Sequence, residues 1–192
     1  AVVCAYGYVG QGCAEILKSY GARVIVTEVN PIHALKAVMD GFTVTTMSEA
    51  AFLGDIFITA TGNINVIREE HFAKMKDGAV LCNMGHGDQE VDVACLRKYP
   101  SQSIRPYVEQ IFLPNGKSVI LLAEGNDVNL GCSNGNSDFA MSISFTNQTL
   151  ALIEMWRQEK LEVGIHAIPK EIDRFVAELH LEKLGVKLET LT

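Results

Sequence analysis

A short apolar run at the start of the chain leads directly into a glycine-rich turn. Residues 1–12 read Ala-Val-Val-Cys-Ala-Tyr-Gly-Tyr-Val-Gly-Gln-Gly, which is typical of a buried strand, a tight turn and the start of a helix. Glu28 closes the next apolar run, at residues 23–28. In a βαβ unit, small residues let the backbone approach a pyrophosphate, the helix N-terminus supplies free N–H groups, and an acidic residue about 20 positions later accepts ribose hydroxyls. The pattern predicts a dinucleotide site that favours NAD over NADP.

One position departs from this fingerprint. Ala5 stands where the pattern has its first glycine, the residue that allows the tight turn. If the backbone there has a positive φ, we expect alanine to be strained by about 1 kcal/mol.

Composition narrows the class of protein. The 192 residues are 48% apolar with a formal charge of −7, so the chain can bury a core but has no basic stripe for nucleic acid. No stretch approaches the ~20 apolar residues of a membrane span. The five cysteines show no CxxC spacing, which predicts reduced and mostly buried thiols in a cytoplasmic protein.

Strand and helix signals alternate along most of the chain. We predict strands near residues 1–6, 23–28, 42–45, 55–59, 79–83 and 118–123, with helices at 9–20, 31–41 and 68–75. A further short helix, capped by Ser48, is expected before Gly54. Pro114-Asn115-Gly116 predicts a tight hairpin turn. This order is typical of an α/β fold, a Rossmann-type doubly wound parallel sheet, here followed by C-terminal helices.

Helix-capping residues support these boundaries. Gly21 is placed to end the first helix, and Asn30-Pro31 is placed to begin the second. Beyond residue 135 the composition changes: Asp138 is a candidate cap for a long helix at 139–159, and Pro169 precedes a helix at 170–184. We expect domains at 1–135 and 136–192, and the apolar faces of the last two helices predict a homo-oligomer.

Polar clusters follow three of the predicted strands. They are Thr61-Gly62-Asn63, the segment ending at His86, and the segment ending at Asn129. Because ligands lie at the carboxyl ends of parallel strands, these loops are expected to face a cofactor. His86 either contacts the nicotinamide or is a capped loop histidine. His33, His71, His166 and His180 are expected to be structural or exposed, and no histidine or carboxylate spacing predicts a metal.

Several motifs together resemble S-adenosylhomocysteine hydrolase over essentially the whole chain. They are Val26-Thr-Glu-Val-Asn-Pro31, Thr61-Gly-Asn63, Cys82-Asn-Met-Gly-His86, Leu122-Ala-Glu-Gly125, Asn129-Leu-Gly-Cys132, Ser144-Phe-Thr-Asn-Gln148 and His180-Leu-Glu-Lys-Leu-Gly-Val-Lys-Leu188. The resemblance is to the cofactor domain, at 1–135, and to the hinge helix and C-terminal helices, at 136–192, which belong to the substrate domain in the family. The family's N-terminal substrate domain, with its acid, base and lysine residues, has no counterpart among these residues.

The resemblance implies a tightly held NAD that acts as an internal catalyst. In the family, NAD transiently oxidises the 3′-hydroxyl of S-adenosylhomocysteine, so that homocysteine is eliminated, water adds and adenosine is released without net consumption of redox equivalents. Glu28 is implied to hold the adenosine ribose and His33 to make a polar NAD contact. The implied diphosphate residues are Gly7, Tyr8, Val9, Gly10, Gln11 and Gly12; those on the nicotinamide side are Asn63, Met84, Gly85, His86 and Asn129, with His86 the catalytic candidate.

The sequence also departs from the family at identifiable places. Ala5 replaces a glycine, Tyr8 and Gln11 stand where aspartate and lysine are common, and Asn30 replaces an aspartate. Asn126-Asp127 replaces Arg-Leu, Gly85-His-Gly-Asp88 replaces Gly-His-Phe-Asp, and Gly135-Asn-Ser-Asp138 replaces Gly-His-Pro-Ser, which removes an aromatic ring and a histidine that gate the substrate channel. The chain stops at Leu191-Thr192, before the tail whose lysine and tyrosine reach the NAD of a neighbouring protomer.

Three functions remain open from the sequence. The first is the NAD-binding part of an adenosylhomocysteinase, a cytoplasmic hydrolase of one-carbon metabolism, with no turnover as an isolated chain. The second is a non-catalytic relative that keeps the NAD fold and regulates partner proteins. The third is a 2-hydroxyacid or alanine dehydrogenase, which should show an arginine and a His/Glu pair for a carboxylate substrate; no such set lies near these loops.

Overall fold

A computed structural model describes residues 1–87, 89–158 and 161–189 of the chain. The chain divides into two compact units, at residues 1–134 and 135–192. The first unit is an α/β sandwich and the second is a pair of helices, so the predicted α/β class with C-terminal helices is confirmed.

The first unit is built on an eight-stranded sheet. Its strands are β1 (Val2–Cys4), β2 (Ile25–Thr27), β3 (Thr43–Val44), β4 (Ile56–Thr59), β5 (Ala79–Asn83), β6 (Ser101–Arg105), β7 (Val108–Phe112) and β8 (Ser118–Leu122). The order across the sheet is β3-β2-β1-β4-β5-β8-β7-β6. The six strands from β3 to β8 in that order are parallel. This is the order of a doubly wound dinucleotide-binding sheet, which confirms the predicted Rossmann type.

Helices connect the parallel strands of the first unit. They are α1 (Tyr8–Ser19), α2 (Pro31–Met39), α3 (Met47–Ala50), α4 (Glu69–Phe72), α5 (Val93–Leu96) and α6 (Val128–Gly131), with a 3₁₀ turn at Ala123–Gly125. The expected caps of α1 and α2 are confirmed: Gly21 has a φ of +83°, and the Asn30 side chain accepts a hydrogen bond from the Ile32 N–H. The second unit contains α7 (Asp138–Arg157) and α8 (Lys170–Lys183).

Apolar side chains that alternate along the strands form two cores, one on each face of the sheet. Val2 of β1 packs in one cluster with Phe57 and Leu81, whereas its neighbour Val3 packs in another with Tyr6 and Val26. Successive side chains of a strand point to opposite faces, so a sheet that is apolar on both faces needs helices on both.

The antiparallel hairpin of β6 and β7 was not predicted. The sequence of β6 has no run of apolar residues that would indicate a strand, and all five of its residues are exposed. The predicted turn at 114–116 is confirmed, and it joins β7 to β8.

Two helix caps were predicted at the wrong residue. Thr46, not Ser48, caps α3 by accepting from the Glu49 N–H, and Ser137, not Asp138, caps α7 by accepting from the Ala140 N–H. Both hydroxyls lie just before the first helical residue, where the free N–H groups point. The expected end of α7 at Glu159 lies outside the described residues.

In the second unit, α7 and α8 pack against each other through His180. This ring is buried; its Nδ1 lies 2.7 Å from the Val176 carbonyl oxygen and its Nε2 lies 3.1 Å from the Ser142 hydroxyl. No residue of α7 is buried, and Trp156 is 90% exposed. None of the helices described is long and apolar enough to cross a membrane.

Candidate functional site

The turn after β1 has the geometry of a dinucleotide fingerprint. Ala5 has a φ of +85°, the left-handed conformation that the missing glycine adopts easily, and its N–H donates to the Thr27 carbonyl oxygen over 2.7 Å. A side chain at Gly10 would overlap the Ala5 carbonyl oxygen, with the carbonyl carbon only 2.8 Å away. Gly10 therefore permits the close packing of α1 on the turn that precedes it.

The N-terminus of α1 is open to an anion. Gly7 is the N-cap residue, and no side chain caps this end of the helix. The space where side chains would stand at Gly7 and Gly12 contains no atom within 4 Å, and Tyr8 is 96% exposed, so it does not fill the crevice. The first-turn N–H groups of a helix have no partners within the helix, so this end fits a diphosphate.

Glu28 follows β2, beside the glycine turn. Its side chain is 4% exposed; Oε2 accepts from the Tyr6 N–H over 2.6 Å, and Oε1 accepts from the N–H groups of Val29 (2.7 Å) and Asn30 (2.9 Å). Burial acts to raise the pKa of Glu28, but the hydrogen bonds from Asn30, Tyr6 and Val29, together with nearby His33, outweigh it and leave the pKa lowered. The carboxylate is thereby fixed at the position where a ribose would bind.

Two further side chains surround the turn. His33 Nδ1 lies 3.7 Å from Glu28 Oε2. The Gln11 side chain donates to the Tyr6 carbonyl oxygen over 2.9 Å and accepts from Lys36 Nζ over 2.6 Å. Sequence reasoning missed Lys36, because nothing in the sequence distinguishes it from other polar residues on the exposed face of a helix.

A cavity of about 550 Å³, here called the Glu28 cavity, opens beside the ends of β1, β2 and β4. Ala5, Glu28, Asn63, Arg68 and His71 are among its lining residues. Asn63 and Glu28 thus line the same cavity, whereas the resemblance assigned Asn63 to the nicotinamide side. A cavity of this volume accommodates a nucleoside.

The loops after β4 and β5 are fixed by a buried residue that sequence reasoning missed. Glu90 is fully buried; its carboxylate accepts from the N–H and hydroxyl of Thr61 (2.9 and 2.7 Å) and from the Gly62 N–H (2.7 Å). A side chain at Gly85 would overlap this carboxylate. Since a glutamate in a loop is ordinarily exposed, nothing in its sequence context signals the role.

Asn83, the last residue of β5, organises the opposite side of the same loop. Its Oδ1 accepts from the Thr59 hydroxyl (3.0 Å) and the Gly85 N–H (2.8 Å), and its Nδ2 donates to the Gly125 carbonyl oxygen (3.1 Å) and to that of Gly87. Both ends of the amide are therefore used, which fixes the Met84–Gly87 backbone against the turn after β8.

A second cavity of about 470 Å³, here called the Asp127 cavity, lies between the β5 loop and the turn after β8. His86, Tyr107, Glu124, Asp127 and Leu130 are among its lining residues. Asn129 lies next to Leu130 on α6 but does not line the cavity, and Met84 and Gly85 lie on the loop that leads to His86. Asp88, the last residue of the Gly85–Asp88 segment, lies outside the described residues.

The turn that borders this cavity has an unusual backbone. Ala123, Glu124 and Gly125 have φ values of +50°, +57° and +87°, and Tyr107 has a φ of +62°. Such conformations cost free energy for residues other than glycine, and they cluster at ligand sites. Among the described residues, no group of three or more histidine, cysteine, aspartate or glutamate side chains is arranged to hold a metal ion.

Three features define a dinucleotide-binding domain of the Rossmann type. They are the sheet order, the open helix N-terminus after the glycine turn, and the fixed carboxylate after β2. Residues 1–135 match the sequence model of the S-adenosyl-L-homocysteine hydrolase family, NAD binding domain. The chain belongs to this family, as the motifs predicted, and NAD is its cofactor.

Solved structures with similar folds include two dehydrogenases and a synthase. D-2-hydroxyisocaproate dehydrogenase is 23% identical, with a TM-score of 0.45 over 50% of this chain and 29% of that chain. The NAD-complexed D-isomer specific 2-hydroxyacid dehydrogenase of Lactobacillus delbrueckii ssp. bulgaricus is 28% identical, with a TM-score of 0.43 over 50% and 30%. A dipicolinate synthase chain of Bacillus halodurans is 20% identical, with a TM-score of 0.46 over 50% and 34%. The matched part is thus about a third or less of each of those chains.

Proposed function

We propose that this chain is the NAD-binding part of an adenosylhomocysteinase, which hydrolyses S-adenosylhomocysteine reversibly to adenosine and homocysteine. The observation that carries the proposal is the pairing of the open α1 N-terminus with the fixed Glu28 carboxylate, in a chain of this family. The two features follow neighbouring parallel strands, β1 and β2, as the diphosphate and ribose sites of a dinucleotide-binding fold do.

Each region of the site has a defined part in this function. Bound NAD supplies the transient oxidation at the substrate's 3′-carbon. The free N–H groups at the start of α1, within Gly7–Gly12, hold the diphosphate, Glu28 holds the adenosine ribose, and His33 makes a polar contact with NAD. Asn63 lines the Glu28 cavity. The β5 loop with Met84, Gly85 and His86, supported by Asn83, positions the nicotinamide side next to Asn129. His86 is exposed at this loop and is the candidate for holding a proton there.

Cofactor binding is tested directly by mass spectrometry of the denatured protein. Purified chain should release NAD, and stripped chain should bind NAD when titrated by calorimetry. Glu28→Gln should weaken binding by about tenfold or more, because it removes charge from the ribose acceptor. Glu182→Gln, which neutralises an exposed carboxylate on α8 in the second unit, is the matched control. A stripped wild-type chain that shows no binding would contradict the proposal.

In the family, hydrolysis also uses acid, base and lysine residues of the substrate domain, and these have no counterpart among the present residues. We propose that the 192 residues bind NAD but do not turn over substrate alone. Adding a purified substrate domain of the family in trans, and assaying released homocysteine, tests whether the chain is the cofactor part of an enzyme. Release that depends on both components supports the hydrolase, whereas NAD binding without release favours the alternative below.

The alternative is a non-catalytic, adenosylhomocysteinase-like regulatory protein. Two observations favour it: Gly87 stands where the family has the aromatic gate residue, and Asp127 places a carboxylate in a cavity where the family has a leucine. Such a protein would keep NAD and lack the substrate channel. The same assay in trans separates the two functions.

Assembly and location follow from the proposed function. The exposed apolar side chains of α7, including Phe145, Leu152 and Trp156, favour a homo-oligomer. Light scattering after size exclusion should give a mass above 21.0 kDa. The free thiols of all five cysteines favour the cytoplasm. The formal charge of −7 disfavours a nucleic-acid partner, and the sequence has no apolar stretch of the length that a membrane span needs.

A further inference from the structure

The peptide that joins the two compact units contains an asparagine followed by a glycine, here called the junction pair. The first unit ends at Asn134 and the second begins at Gly135. Both residues lie outside the helices and strands, in the loop between α6 and α7, and Asn134 is exposed to solvent. Because exposed loops open readily, a slow reaction between a side chain and the backbone is least hindered in such a segment.

An asparagine in this setting reacts with the peptide nitrogen of the next residue. Once that nitrogen has lost its proton to solvent, it attacks the side-chain carbonyl carbon, which closes a five-membered succinimide ring and expels ammonia. Water then opens the ring at either of its two carbonyl groups and leaves aspartate or isoaspartate, so that one water is consumed for each ammonia released. A following glycine favours the attack, because it has no Cβ to obstruct the approach and its backbone is free to adapt.

The reacting groups of the junction pair have no partners in the part of the chain that the structure describes. The side-chain amide of Asn134 makes no hydrogen bond there, and neither does the Gly135 N–H. Gly135 also has a φ of +73°, a conformation that glycine adopts easily. The Asn134 side chain can therefore rotate toward the glycine nitrogen without breaking a hydrogen bond, and that nitrogen can lose its proton without losing a partner.

The sequence contains one other asparagine–glycine pair, and its reacting groups are held. Asn115 is also exposed, but its side chain donates to the Ala73 carbonyl oxygen (3.1 Å) and accepts from the Lys117 N–H (3.1 Å). The Gly116 N–H donates to the Leu113 carbonyl oxygen over 3.1 Å. Attack within this pair must break these hydrogen bonds. Hydrogen bonding, and not exposure, therefore distinguishes the two pairs.

We propose that Asn134 is a modification site of this protein, at which the native chain deamidates to aspartate and isoaspartate while Asn115 stays intact. Either product adds a negative charge to the peptide that joins the two units, and isoaspartate also lengthens its main chain by one carbon atom. A difference in rate of about tenfold or more is expected, because three hydrogen bonds hold the groups of the Asn115 pair. The inference is independent of NAD binding.

The test is peptide mapping by mass spectrometry of the full 192-residue chain after incubation at neutral pH, with fragmentation that distinguishes isoaspartate from aspartate. Native wild type should accumulate both products at Asn134 about tenfold or more faster than at Asn115. The rate at Asn134 should rise with pH, since the attacking nitrogen must lose a proton. Asn134→Gln should abolish the modification at this position, because a longer side chain closes its ring far more slowly. Asn115→Gln is the matched control and should leave the rate at Asn134 unchanged.

Unfolding separates the effect of the structure from that of the sequence. In guanidinium both pairs lose their tertiary contacts, so Asn115 should react at a rate close to that of Asn134. A native wild-type chain in which Asn134 stays intact, or in which Asn115 reacts as fast, overturns the proposal without reliance on any variant. A rate at Asn115 that stays slow after unfolding overturns it as well, because the neighbouring residues in the sequence would then protect Asn115 and the hydrogen bonds would not.

Discussion

The carboxylate of Glu90 joins two loops of the site through Thr61, whose N–H and hydroxyl both donate to it, over 2.9 and 2.7 Å. Thr61 follows β4, while Glu90 lies beyond β5 and also packs where a side chain at Gly85 would be. The carboxyl group is fully buried, and its hydrogen-bond donors within the described part of the chain all come from the β4 loop. The shape of both loops therefore depends on one buried carboxyl group.

Replacing Glu90 by glutamine should destabilise the first unit. A glutamine amide presents an NH₂ group where the carboxylate accepts a hydrogen bond, so at least one donor from Thr61 or Gly62 loses its partner. A buried donor without a partner costs about 1–3 kcal/mol. Urea unfolding should show this loss for Glu90→Gln, and the exposed Glu70→Gln should change stability by less than about 1 kcal/mol. Equal midpoints for the two variants would show that the hydrogen bonds are not needed.

Ala5→Gly should stabilise the protein. Ala5 has a φ of +85°, which is a strained conformation for alanine and an easy one for glycine. The gain should be about 1 kcal/mol or slightly less, because glycine also gains freedom in the unfolded chain. The control is Ala34→Gly in α2, where the same change should cost about 1 kcal/mol of helix stability. If thermal melting shows both variants destabilised, the turn does not have this backbone.

The parallel strands and the longer helices between them were predictable because each of these elements carries its own local signal. The glycine turn marks the passage from β1 to α1, Asn30-Pro31 marks the start of α2, and Gly21 ends α1. These signals depend on residues that are close in sequence. Glu28 was predictable for the same reason, since its distance from the turn is fixed by one helix.

The remaining features depend on contacts between residues that are distant in sequence. Glu90 and Thr61 meet only after β4 and β5 pair, and a polar strand such as β6 becomes a strand only because β7 is beside it. Asp127 was recognised as a departure from the family, but the burial of its Oδ1, which has no hydrogen-bond partner among the described residues, is visible only when the β5 loop and the turn after β8 are brought together. Packing, not local sequence, determines these parts of the site.

Lowering the pH should remove the contribution of the Glu28 carboxylate to stability. Its pKa is lowered in the folded protein relative to the ordinary value near 4.5, so its stabilising effect is fully present above that value. It is lost as the pH falls through the lower folded pKa. The difference in the free energy of unfolding between wild type and Glu28→Gln should therefore be largest near neutral pH and shrink below about pH 4.

Subtracting the two unfolding curves for Glu28 removes the titration of other carboxyl groups. The pKa of Asp77 is also lowered, by hydrogen bonds from Ser118, but Asp77 titrates in both proteins and so cancels. A difference that stays constant from pH 7 to pH 3 would mean that the charge of Glu28 does not stabilise the fold.

The five thiols should react with Ellman's reagent in two groups. Cys4, Cys82 and Cys95 are buried, and burial raises the pKa of Cys4 and of Cys82 to about 12, so these thiols are neither accessible nor ionised in the native protein. Cys13 and Cys132 are partly exposed, and burial raises the pKa of Cys13 as well, so Cys132 should react first. We expect two thiols to react in the native chain and all five in guanidinium. Cys132→Ser should remove the faster phase of the native reaction, and Cys95→Ser should change neither the faster phase nor the slower one. Fast reaction of a third thiol in the native chain would mean that the sheet around β1 and β5 opens more readily than its packing implies.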